Sequence, residues 1–172
     1  MAFDGVSLMA IKHELEIALI GARIDKVYQP ERLSLLLNIR KERENLKLLL
    51  SAHPMYARIC LTNNSYKNPK TPPLFCMVAR KHLEGGKIIS ISQQAMERVL
   101  EIGVEIRTEL GELSTRYLVV EIMGKHSNII ILDENKQYIV DSIKKVTPET
   151  SQVRTVLPNT RYQMPPQQNK LD

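Results

Sequence analysis

Leu33-Ser34-Leu35-Leu36-Leu37-Asn38-Ile39-Arg40 and Leu46-Lys47-Leu48-Leu49-Leu50, joined through the polar turn Glu42-Arg43-Glu44-Asn45, decide the fold. In the first segment Leu33, Leu35, Leu37 and Ile39 alternate with Ser34, Asn38 and Arg40, which is the period of a half-buried strand. Leu46, Leu48 and Leu50 repeat that period after the turn. On either side, residues 23–29 form a further run that stops at Pro30, and 58–61 continue the pattern. Four consecutive strand-like runs predict an antiparallel meander.

Before the meander, Leu8, Ile11, Leu15, Leu19 and Ala22 share one face at helical spacing, so an amphipathic helix is expected over 7–22 with Ser7 as its N-cap. After it, a polar, Pro-bearing loop at 63–73 leads into Phe75-Cys76-Met77-Val78-Ala79-Arg80-Lys81-His82-Leu83-Glu84-Gly85-Gly86. Phe75, Val78 or Ala79, and Leu83 recur near the helical period, and the two glycines supply a left-handed stop. Five more strand-like runs follow at 87–91, 98–106, 117–123, 128–132 and 137–141. One helix, four strands, one helix and five strands favour α+β with antiparallel sheets over a parallel α/β fold. The expected architecture is a two-sheet β-sandwich with flanking helices. Beyond Thr147 the chain is rich in Pro and Gln and has no apolar period, which reads as a linker or an extended arm.

The chain has 172 residues, enough for one domain with a real core. It has no Trp and two Phe, so that core rests on Leu, Ile, Val and Met. A net charge of +5 permits nucleic acid or another polyanion as partner without demanding one. No segment combines a basic face with a wide apolar one, and no run reaches the length of a membrane span, so no membrane partner is expected. Cys60 and Cys76 lack the close spacing of metal or redox motifs and read as reduced thiols. His13, His53, His82 and His126 show no metal-ligand spacing. There is no P-loop and no G-x-G-x-x-G, so no cofactor is expected. Met1-Ala2-Phe3-Asp4 opens without the basic n-region of a signal peptide, so a cytoplasmic location is expected.

Three stretches carry chemistry. Arg80, Lys81 and His82 gather at a helix end. They are either anion receivers or cations placed against the negative pole of the helix dipole. Met123-Gly124-Lys125-His126-Ser127-Asn128 joins two apolar strands. It is either a donor-rich turn for phosphates and base edges or an ordinary connection built from turn formers. Arg98 has the parity of Leu100 and Ile102, so it points to the core face at its rim, where a guanidinium needs a carboxylate or a cleft. Ser51-Ala52-His53-Pro54 with Tyr56 and Arg58 holds a Ser and a His but no nucleophile elbow, so a hydrolase is not expected.

In order along nearly the whole chain, several motifs resemble the N-terminal domain of the NFACT family. They are Asp4-Gly5 with His13-Glu14-Leu15, Arg23-Ile24-Asp25-Lys26-Val27-Tyr28-Gln29-Pro30, Leu50-Ser51-Ala52-His53-Pro54, the 75–86 helix, Glu121-Ile122-Met123-Gly124-Lys125-His126-Ser127-Asn128 and Arg154-Thr155-Val156-Leu157-Pro158. The resemblance implies an N-terminal domain over 1–157, with 158–172 as a linker toward further domains. It implies a fold similar to the N-terminal domain of formamidopyrimidine-DNA glycosylases. Those enzymes use an N-terminal Pro as nucleophile, which this sequence lacks, so the implied protein is a recruiting factor and not an enzyme.

The implied function is ribosome quality control. The family binds large ribosomal subunits that still hold a peptidyl-tRNA and recruits alanyl-tRNA for template-free alanine tailing of the stalled chain. An Asp-Arg pair that recruits tRNA in the family falls on Glu97-Arg98, with the carboxylate one methylene longer. Asp4 joins that tRNA-binding set. Arg80, Lys81, His82, Lys125, His126 and Asn128 are the expected phosphate or RNA contacts. Asn159 stands where the family usually has Gly. A fibronectin-binding surface adhesin is the alternative reading.

Overall fold

The structure is a computed structural model that describes residues 5–94, 98–151 and 153–166. The elements run α1 (Gly5–Leu19), β1 (Arg23–Glu31), β2 (Ser34–Lys41), β3 (Glu44–Ser51), β4 (Arg58–Leu61), α2 (Leu74–Leu83), β5 (Lys87–Gln94), β6 (Val99–Arg107), β7 (Leu113–Glu121), β8 (Asn128–Leu132) and β9 (Ile139–Ser142). A short 3-10 turn, Gly124–His126, joins β7 to β8. The expected order of one helix, four strands, one helix and five strands is the order found. Helix α1 begins at Gly5, so Ser7 lies inside it and is not its cap.

The expected meander forms. Leu37 stands opposite both Val27 and Leu48, and Leu50 opposite Ile59, all antiparallel. Strand β1 does not stop at Pro30. Its pairing with β2 slips between Tyr28 and Glu31, and on the other side it meets β5 only at Arg23↔Lys87. Pro30 therefore sits where no ladder donor is needed, which is where a strand tolerates proline.

All nine strands form a single antiparallel sheet in the order β4-β3-β2-β1-β5-β6-β7-β8-β9. The two separate sheets of the expected sandwich are two halves of this one. A short zipper joins them: Gly21 N–H to Ile88 O at 2.8 Å, Ile88 N–H to Ala22 O at 2.8 Å, Ile24 N–H to Gly86 O at 2.8 Å and Gly85 N–H to Ile24 O at 2.7 Å. Past it the halves diverge and close over one core, so that β3 comes near β8. Leu37, Leu48 and Ile59 from one half and Leu100, Leu118 and Ile129 from the other belong to the same buried cluster. Helix α1 fills the opening against β5 with Leu8, Leu15 and Leu19, and α2 fills it against β1 with Phe75, Ala79 and Leu83. Gly85, at φ +83°, turns the chain out of α2 as expected. Gly86 lies so close to β6 that a Cβ there would overlap Val104 Cγ1.

The opposite face of β6–β9 is buried as well. Val99, Val119, Ile130, Leu132, Ile139 and Val156 form a second cluster, with Tyr117, Val146 and Tyr162 against it. Strands covered on both faces read as near-continuous apolar runs, which is why 117–120 and 129–132 show no alternation. The cover is the segment beyond Thr147. Of the two readings, linker or extended arm, it is an arm as far as Gln163. Val146 and Val156 exchange main-chain hydrogen bonds of 2.9 and 2.8 Å, Ile139 N–H reaches Thr160 O at 2.9 Å and Tyr162 N–H reaches Gln137 O at 2.7 Å. Asn159 sits at φ +65°. The left-handed region favours glycine, and Asn is among the few other residues that enter it readily.

Candidate nucleic-acid interface

The sequence-predicted contacts fall into two separate places. At one rim of the sheet, Arg98 directly precedes β6 and is half-buried, as its parity requires, and its carbonyl accepts the Ile122 N–H at 3.0 Å. Ile122 leads into the Gly124–His126 turn, where Lys125 and His126 are exposed. Lys144 donates to the Lys125 carbonyl at 3.3 Å. Arg32, exposed in the β1–β2 turn, lies close enough to act on Lys144. Burial first, then the Arg32 cation, push the Lys144 ammonium below its ordinary pKa. Among the described residues no carboxylate forms an ion pair with Arg32, Arg98, Lys125 or Lys144. The nearby Lys145 is paired with Asp141 at 2.6 Å. Glu97 and Asp4 lie outside the described residues.

The second place is the end of α2. His82 accepts the Arg116 Nε–H on Nδ1 at 3.3 Å, and Arg116 also donates to Ser114 Oγ at 2.7 Å. Burial, then the Arg116 and Lys81 cations, hold His82 below the usual imidazole range, so the ring is neutral and serves as the acceptor. Arg116 stands opposite Val104, while the Arg98 rim begins beside Val99. Five residues of strand at about 3.3 Å each separate the two places by roughly 17 Å.

Arg80 is committed to the fold. Its Nε donates to the Val27 carbonyl at 2.8 Å, while Glu84 Oε2 accepts the Val27 N–H at 2.8 Å. Arg80 and Glu84 pair at 3.9 Å, and the guanidinium lies 5.6 Å from the centre of the Tyr28 ring. Arg80 of α2 and Glu84 just past its end thus satisfy both main-chain groups of Val27 on the side of β1 away from β2, where β5 no longer pairs with it, as backbone polar groups there require. Lys81 is exposed.

The motif over 121–128 divides by function in the same way. Asn128 is buried: its Oδ1 accepts the N–H groups of Ile129 at 2.9 Å and Lys144 at 3.1 Å, and its Nδ2 donates to the Lys144 carbonyl at 3.1 Å. Its amide is spent on the backbone of the turn. Ser127 Oγ accepts the Met123 N–H at 2.8 Å. Glu121, fully buried, receives both guanidinium nitrogens of Arg154 and the Tyr162 hydroxyl at 2.7 Å. Burial works against the Arg154 cation, but Glu121 outweighs it and raises the pKa above its ordinary value. Only Lys125 and His126 of the motif face outward. Sequence reading missed Arg32 and Lys144 as rim cations. The dibasic Lys144-Lys145 step just past β9 was the available signal.

The trio sets one pH dependence. Burial first, then the Glu121 charge, push the Tyr162 phenol above its ordinary range. In the unfolded chain it ionises near pH 10, while in the fold it stays protonated, so the stability it confers is whole below that pH and is lost above it. Over about pH 9 to 11, the denaturation midpoint of the native chain should fall more steeply than that of Tyr162→Phe. The difference approaches about 1.4 kcal/mol per pH unit, and parallel curves would refute it.

The sequence family described as NFACT N-terminal and middle domains matches residues 4–172. The chain belongs to the NFACT family. Rqc2 homolog RqcH of Bacillus subtilis is 44% identical over 171 residues, which is 99% of this chain and 30% of that protein. At lower identity, ribosome quality control complex subunit NEMF of Homo sapiens is 25% identical over 153 residues, 88% of this chain and 13% of that protein. Among solved structures, the N-terminal domain of fibronectin-binding protein PavA from Streptococcus pneumoniae superposes with a TM-score of 0.92 at 43% identity, covering 96% of this chain and 62% of that one. This NFACT chain thus spans about 30% of the length of the RqcH protein it matches. No helix among its described residues is long and apolar enough to cross a membrane.

Proposed function

We propose that this chain is the RNA-engaging domain of a cytoplasmic ribosome quality control factor. It recruits a tRNA, alanyl-tRNA, to large ribosomal subunits that still carry a peptidyl-tRNA, and so supports alanine tailing. The ribosome supplies the peptidyl-transfer chemistry, and the chain supplies binding. Residues 1–157, with the arm packed as far as Gln163, form the domain, and the chain beyond leads toward the others. The glycosylase-like fold serves here as a binding scaffold. One observation carries the reading: four cations without a carboxylate partner among the described residues, Arg32, Arg98, Lys125 and Lys144, belong to neighbouring segments of one rim. Like charges held together, one of them partly desolvated, are relieved by an anion, and a phosphate backbone provides a row of them.

Filter binding of purified tRNA across a salt series tests this. Arg98→Ala is expected to weaken binding by about 1–3 kcal/mol. Lys125→Ala should weaken it uniformly across sequences and lower the salt slope by about one. Unchanged tRNA affinity in both variants would overturn the assignment. The second reading, a fibronectin-binding adhesin, is favoured by what PavA is named for. It requires fibronectin binding that survives Arg98→Ala and is not displaced by tRNA.

A further inference from the structure

The β3–β4 connection holds two strongly exposed side chains beside the cationic rim: Met55 is 71% exposed and Tyr56 60%. The loop is braced. Ser51 Oγ accepts the His53 N–H at 3.2 Å, His53 Nδ1 accepts the Met55 N–H at 3.1 Å, and the Tyr56 N–H reaches the His53 carbonyl at 3.2 Å. The His53 and Tyr56 rings lie 5.0 Å apart with 32° between their planes. The loop also meets the Lys125 turn, since a Cβ on Gly124 would lie 3.9 Å from the Pro54 carbonyl. Arg58, exposed, follows two residues after Tyr56.

We propose that Tyr56, backed by His53, is a stacking platform for an unpaired nucleobase of bound RNA, with Lys125, His126 and Arg58 taking the adjoining phosphates. This rests on the RNA reading above and adds the kind of RNA recognised: a single-stranded loop or end, not a duplex. Three features support it. An aromatic ring already held in place loses little freedom when a base settles on it. Any base offers a π-face, so the contact tolerates sequence and depends on the base being unstacked. The exposed neighbours, Lys125, His126 and Arg58, carry no negative charge, which favours RNA over a protein partner.

The test uses the full chain with a short single-stranded RNA carrying a central 2-aminopurine, beside a blunt duplex of the same length. The native chain should bind the single strand and quench the 2-aminopurine. Tyr56→Ala should weaken that binding about tenfold and abolish the quenching, with duplex binding unchanged. Tyr56→Phe should keep both, because the ring and not the hydroxyl makes the contact. Tyr56 lies outside the buried core, so thermal melting of both variants should match the native chain. Unchanged affinity and quenching in Tyr56→Ala, or equal weakening toward single strand and duplex, would overturn the platform. If Arg98→Ala still weakened binding, the RNA reading would stand without it. A native chain that bound neither RNA would overturn both.

Discussion

Arg154→Ala is expected to destabilise the fold by about 3–5 kcal/mol, read as a shift in the urea midpoint. The large figure follows from what remains. Glu121 is 0% exposed, and its two oxygens take their donors from Arg154 and Tyr162. Removing the guanidinium leaves a carboxylate in a nearly dry site with a single phenol for company. Burying an uncompensated charge costs far more than an exposed ion pair contributes. The same guanidinium donates to the Gln163 carbonyl at 2.7 Å, so its loss also frees the arm from the β7 face. Truncating the acid tests the cause. Glu121→Leu/Arg154→Met removes both charges and keeps apolar volume, so it should recover most of the loss. A double variant as unstable as Arg154→Ala would show that arm packing, and not the stranded charge, sets the cost.

That trio also marks where sequence reasoning ends. Alternation in 33–40 and 46–50, apolar runs such as 129–132, and the helical spacing over 8–22 and 75–83 are local signals, and from them the order of the described strands and helices was legible. Whether the halves formed two sheets or one depended on four hydrogen bonds between 21–24 and 85–88, contacts far apart in sequence and made by backbone groups that every residue carries. The choice between linker and arm beyond Thr147 stayed open because the arm's apolar residues, Val156 and Tyr162, bind without a period. The rim shows the same limit. Arg98 could be placed by parity, but Arg80 looked like an anion receiver because nothing in 75–86 reveals that Val27 needs its donor. The residues carrying the family resemblance were legible as a set, but their division into scaffold and contact was not. Ser127, Asn128 and Glu121 are polar residues used inside, and Lys125 and His126 are polar residues used outside.

Asn128→Ala tests that division directly, and is expected to cost about 2–4 kcal/mol. Its amide satisfies both the N–H and the carbonyl of Lys144, which has no strand partner there. Removing the amide takes its oxygen from the N–H groups of Lys144 and Ile129, and an unmet main-chain group costs about 1–3 kcal/mol, while the Lys144 carbonyl keeps the Ser142 hydroxyl at 2.7 Å. Because Lys144 in turn holds the Lys125 carbonyl, the variant also loosens the turn that presents Lys125 and His126. RNA affinity should therefore fall without any phosphate contact being deleted. The salt slope separates this from a direct contact. Counterion release scales with the number of phosphates neutralised, so Asn128→Ala should keep the native slope, whereas Lys125→Ala should reduce it by about one. An Asn128→Ala chain of native stability with weakened RNA binding would mean that the amide meets RNA after all. The reverse pattern, lost stability with an unchanged slope, fits a residue whose side chain is spent on its own backbone.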